Sequence, residues 1–69
     1  MRVTAGRTYT LRNGARVRIT GERTFRSGGV SLRMLAGYML GNFALAYWMP
    51  DGRFSPADGQ PEHELDIVQ

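Results

Sequence analysis

Between Met34 and Met49 the chain reads MLAGYMLGNFALAYWM, and Asn42 is the only strongly polar side chain in the run. Folded at a period of two around Gly41-Asn42, this stretch becomes a hairpin. Leu40 then meets Phe43, Tyr38 meets Leu45, Ala36 meets Tyr47 and Met34 meets Met49, and these residues are the expected core face. The reverse face carries Arg33, Leu35, Gly37, Met39, Ala44, Ala46 and Trp48, with Gly37 opposite Ala46 as a shallow notch. So apolar a run exceeds what one small core absorbs, and the second face is expected to meet a partner.

Alternation also organises the amino-terminal part. Residues 8–20, TYTLRNGARVRIT, form a hairpin about Asn13-Gly14. A two-residue turn would set Leu11 against Arg16 and Tyr9 against Arg18, mixing apolar and charged groups on one face. A type I turn with Gly14 in a left-handed bulge pairs Leu11 with Ala15 and Tyr9 with Val17. Thr8, Thr10, Arg16 and Arg18 then share the other face. Register must agree with the buried face, so the bulged turn is predicted.

Residues 21–29, GERTFRSGG, read as a polar Gly-rich loop anchored by Phe25. In Met49-Pro50-Asp51-Gly52-Arg53, proline presets a type I turn and glycine takes the left-handed bulge, so Met49 pairs with Arg53 and Phe54 falls beside Trp48. Residues 55–61 read as a second loop, and in EHELDIVQ Leu65 and Ile67 alternate as a closing strand. The expected fold is all-β over a single domain, 1–69. It is a small twisted antiparallel sheet or open barrel of about five strands, near 7–12, 15–20, 31–40, 43–49 and 63–68. A helix over 30–49 conflicts with Gly37, Gly41 and Asn42, and a membrane span conflicts with Arg33 and Asn42 inside it.

Composition sharpens this picture in two ways. With 69 residues and no Cys, the chain has a small core and neither disulfides nor cysteinate zinc to support it. One histidine, His63, does not make a metal site, so self-association is the remaining support and a homo-oligomer, a dimer first, is expected. The chain opens without an apolar signal segment, which fits a cytoplasmic protein. The second point is charge. All nine basic residues are arginine, and positions 2, 7, 12, 16, 18, 23, 26 and 33 lie in the first half, opposed only by Glu22. The last nineteen residues set Arg53 against Asp51, Asp58, Glu62, Glu64 and Asp66.

No residues assemble a catalytic site. On a strand, Glu62, Glu64 and Asp66 point one way and His63 the other. Ser27, Ser31 and Ser55 have no neighbouring histidine to activate them, and the glycines match no phosphate loop. The chain therefore reads as a binding protein and not an enzyme, without cofactor or metal. Its candidate ligand-binding or interface set is Arg33, Leu35, Met39, Trp48 and Phe54; for a nucleotide, Arg33 takes phosphate and Trp48 the base. The alternative is an anion-binding strand face of Arg12, Arg16 and Arg18 that contacts nucleic-acid backbone.

Several of these residues fall into a pattern: Tyr9-Thr10-Leu11-Arg12-Asn13-Gly14, then Val17 and Ile19, Gly37, Trp48 ahead of Pro50-Asp51-Gly52-Arg53-Phe54, and Leu65-Asp66-Ile67-Val68. In this the chain resembles a group of small β proteins encoded in bacteriophage and prophage genomes, departing from them in its Arg-rich 20–33 connection. The resemblance implies an accessory protein in a bacterial cytoplasm that binds and inhibits or sequesters a host factor. Anti-defence activity, including capture of a nucleotide signal at an oligomer interface, is its most concrete form.

Overall fold

In the computed structural model, which describes residues 1–54 and 62–69, turn chemistry sets the register of the first hairpin and the 49–53 turn. Tyr9 pairs with Val17, the Leu11 N–H donates to the Ala15 carbonyl at 2.8 Å, and Gly14 holds φ at 90°. The Met49 N–H donates to the Arg53 carbonyl at 2.8 Å, with Gly52 at φ 97°. Tyr38 pairs with Leu45 and Ala36 with Tyr47. The elements are β1 (Thr8–Thr10), β2 (Arg16–Ser27), β3 (Val30–Met39) and β4 (Leu45–Trp48), in one open antiparallel sheet of order β1-β2-β3-β4. There is no helix among the described residues, hence none long and apolar enough to cross a membrane.

Three expectations about turns and strand limits are corrected. Residues 21–29 are not a loop: β2 continues to Ser27, Gly28 and Gly29 turn the chain with positive φ, and β3 starts at Val30. The turn at 41–42 is wider than two residues, because the Met39 N–H donates to the Ala44 carbonyl and Phe43 takes φ 60°. The closing strand at 63–68 contracts to a single bridge between Leu11 and Ile67. The loop at 55–61 lies outside the described residues.

The hairpin of β3 and β4 has the expected pairing, but its two faces are interchanged. Leu35 is 2% exposed and Trp48 fully buried, whereas Phe43 and Leu45 are 71% and 75% exposed. The cause lies in β2. Val17 pairs with Met39 and Ile19 with Gly37, so the odd positions of β3 share the apolar side of the first hairpin. Leu11, Val17, Ile19, Leu35 and Trp48 therefore form one inner cluster, with Met39, Ala46, Phe54 and Leu65 packed against it.

Both chain ends cover this inner face. The Val3 N–H donates to the Pro50 carbonyl and the Gly6 N–H to the Ile19 carbonyl. Val68 donates to Thr10 on one edge of the sheet, and Ile67 to Gly52 beyond the other. The carboxyl-terminal segment thus spans the open side, and Val3 and Ile67 complete the core.

Gly37 is not a ligand notch. A Cβ there would lie 2.8 Å from the Arg18 carbonyl oxygen and 2.9 Å from Ile19 Cδ1. The backbone contact cannot rotate away, so Gly37→Ala is expected to destabilise the fold by about 1–3 kcal/mol. Urea unfolding followed by circular dichroism measures this, and an unchanged midpoint would contradict the close approach.

Candidate functional site

The set Arg33, Leu35, Met39, Trp48 and Phe54 does not converge on a ligand. The Trp48 Nε1–H donates to the Leu65 carbonyl at 2.7 Å, inside the core. Phe54 stands edge-on to that indole at 5.9 Å between centroids and lies 4.8 Å from the His63 ring. Leu35 pairs with Trp48 and Met39 with Val17 on the inner face. Met39 and Phe54 are half-buried, and Arg33 is the exposed member of the set, its Nε 3.1 Å from Glu22 Oε1. It lines, with Leu35, Arg2 and Glu22, a depression of about 420 Å³. The fully buried indole offers no face on which a base could stack.

The carboxyl-terminal segment has a structural chemistry of its own. Asp66 accepts from the Phe54 N–H through Oδ1 at 2.8 Å and from the His63 N–H through Oδ2 at 2.9 Å. His63 Nδ1 accepts from the Leu65 N–H at 3.0 Å. Arg12 reaches Glu62 at 3.5 Å and Asp66 at 3.8 Å, so the structure directs it to the carboxyl-terminal segment and not to Arg16 and Arg18. No group of three His, Cys, Asp or Glu among the described residues is placed to hold a metal.

Arg16 and Arg18 lie on the outer face of the sheet, opposite Thr10 and Thr8, and Arg18 donates to Thr8 Oγ1 at 3.4 Å. Arg18 is also the cross-strand partner of Tyr38. The register of β2 on β3 then slips between Ile19 and Gly21. This bulge inserts Thr20 and reverses the alternation of β2. Arg23 and Phe25, opposite Met34 and Leu32, are thereby delivered to the outer face.

β4 adds Leu45 and Tyr47 to that face. Phe25 meets Tyr47 edge-on at 5.1 Å, and Tyr38 faces Phe43 at 5.9 Å. The Arg23 guanidinium sits 6.0 Å from the centre of the Phe25 ring. Arg16, Arg18 and Arg23 form no ion pair among the described residues. Glu22, opposite Leu35, belongs to the inner side, so the described strands place no carboxylate on the outer one.

Arg16 and Arg18 are legible on this face in the sequence; Arg23 and Phe25 are not, because they fall in a stretch of loop composition, and Tyr38, Phe43 and Tyr47 are not, because the hairpin read alone assigns them to the core. The signal that finds them is RVRITGERTFRS read as one long bulged strand rather than a strand and a loop. No family model matches the chain, and no curated protein or solved structure matches it significantly.

Proposed function

We propose that the chain is a non-catalytic nucleic-acid-binding β module whose working surface is the outer face of the sheet. The observation that carries this reading is the interleaving of Arg16, Arg18 and Arg23 with the ring pairs Phe25–Tyr47 and Tyr38–Phe43. Guanidinium groups take phosphate oxygens bidentately, while exposed rings stack on unpaired bases. A single strand satisfies both demands together. In the phage accessory setting that the resemblance implies, such a module would act by occupying nucleic acid that a host factor uses. A nucleotide held on Trp48 is disfavoured, since stacking there requires opening the core.

Fluorescence anisotropy with a labelled single-stranded oligonucleotide tests the reading. Affinity is expected to fall steeply with salt, and Arg16→Ala with Arg18→Ala to weaken binding about tenfold or more. Each phosphate contact on a single strand contributes about −0.7 to the log–log salt slope, so losing two flattens it by about 1.4. Thermal unfolding of the variant should stay near that of the parent, because both side chains are exposed. Salt-independent or undetectable binding by the parent protein would sink the reading.

A second reading, self-association, is favoured by Phe43 and Leu45 standing 71% and 75% exposed at one corner of the same face. A second copy closing over this corner would give a dimer at micromolar concentration, lost on Leu45→Glu. Light scattering that finds only the 7.7 kDa monomer contradicts it.

A further inference from the structure

We infer that an open cavity between the two asparagine turns, at one end of the sheet, is a subsite for a phosphate-bearing nucleotide. The cavity measures about 630 Å³, within the usual range for small-ligand sites. Ala15, Met39 and Leu40 give it an apolar floor, and Asn13, Arg16 and Asn42 give it a polar rim. The two turns are tied together across the sheet, because the Leu40 N–H donates to the Arg16 carbonyl at 3.0 Å.

The rim is donor-rich for a definite reason. Asn13 Oδ1 already accepts from the Ala15 N–H at 2.9 Å, and Asn42 Oδ1 from the Ala44 N–H at 2.9 Å. Each asparagine is left presenting its NH₂ group, and arginine carries donors only. No carboxylate lines the cavity. An apolar floor under three donor side chains selects a ligand with a flat, weakly polar body and an anionic edge. A nucleotide fits: base on Met39 and Leu40, phosphate on Arg16. The inference deepens the nucleic-acid reading, which shares Arg16 with it, and makes this cavity the place where a strand's phosphorylated terminus is held. The same chemistry would admit a free mononucleotide.

Backbone amide shifts in nuclear magnetic resonance separate these cases. Titration with a nucleoside monophosphate is expected to move the Ala15, Gly41 and Asn42 amides and leave those of Phe25 and Tyr47 in place. A terminally phosphorylated oligonucleotide should move both groups, and its unphosphorylated counterpart the second group alone. Weaker shifts with the free monophosphate than with the phosphorylated oligonucleotide identify the strand terminus as the ligand, and the reverse order identifies the mononucleotide.

Ala15→Leu fills the floor and should abolish the first response while sparing oligonucleotide binding. Gly41→Leu is a second blocking variant, since a Cβ at Gly41 meets no atom within 4 Å. Arg18→Ala with Arg23→Ala should do the opposite. Inorganic phosphate reproducing the whole shift pattern overturns the inference, as does a monophosphate that moves nothing. Oligonucleotide binding that persists in the latter case leaves the outer-face reading standing. Monophosphate binding without oligonucleotide binding overturns that reading and supports the subsite.

Discussion

Trp48→Ala is expected to remove half or more of the stability of the fold. Truncating a fully buried indole costs about 3–5 kcal/mol. A domain of this size holds only about 3–10 kcal/mol in total at 0.05–0.15 kcal/mol per residue. The loss is compounded because Phe54 rests on the indole and His63 on Phe54. The Nε1 bond to Leu65 also joins β4 to the segment that spans the open side of the sheet. Trp48→Phe keeps most of the apolar volume but orphans the Leu65 carbonyl, so an intermediate loss of about 1–3 kcal/mol is expected. Far-ultraviolet circular dichroism during urea unfolding ranks the three proteins. Were Trp48 an interface residue, the alanine variant would keep its unfolding midpoint and change only its assembly mass. That result would contradict the burial of the indole.

The interchange of faces locates what a sequence carries locally and what it does not. Asn13-Gly14 and Pro50-Asp51-Gly52 determine their turns by backbone chemistry alone, and both registers were legible from them. The choice of buried face in the β3–β4 hairpin is not local. Counting apolar groups within it favours the even-numbered positions of 34–40, because Tyr38 and Leu40 outweigh Leu35 and Gly37. Pairing with β2 decides otherwise: Ile19 needs a neighbour without a side chain, and Gly37 supplies it. That pairing was hidden because GERTFRSGG has loop composition and yet continues β2 beyond the bulge at Thr20 before ending in a Gly-Gly turn.

The same non-local pairing hides half of the candidate site from the sequence. With the even positions assigned to the core, Arg16 and Arg18 stood alone as a solvated stripe. Once those positions face outward, Tyr38, Phe43 and Tyr47 join the arginines, and the bulge at Thr20 brings Arg23 and Phe25 beside them. Apolar surplus and cationic surplus, which in sequence look like separate facts, become one surface.

Removing the Asp66 carboxylate is the second large effect expected. Asp66 fastens residue 54 to residue 63 by accepting both backbone N–H groups, and its side chain is only 14% exposed. Asp66→Ala strands those two donors, and at about 1.5–3 kcal/mol for each bond to a charged acceptor the loss should be about 3–6 kcal/mol. Asp66→Asn keeps an acceptor for one donor only and should fall between. The carboxylate also predicts a pH dependence. Burial, the largest single influence, raises its pKa; the His63 and Phe54 N–H donors and the positive charges of Arg12 and His63 outweigh it. The net folded value lies below the ordinary 3.8. Stability from this group is therefore complete above pH 3.8 and is lost as pH falls through the lower folded value. The difference in unfolding free energy between the parent and Asp66→Asn should hold steady from neutral pH down to about pH 5, then shrink towards pH 2. A difference that stays constant across that acid range would mean that the anion is not what holds these backbone donors. The strand-to-tail connection would then rest on the Trp48–Leu65 bond, the backbone bonds of Ile67 and Val68, and packing.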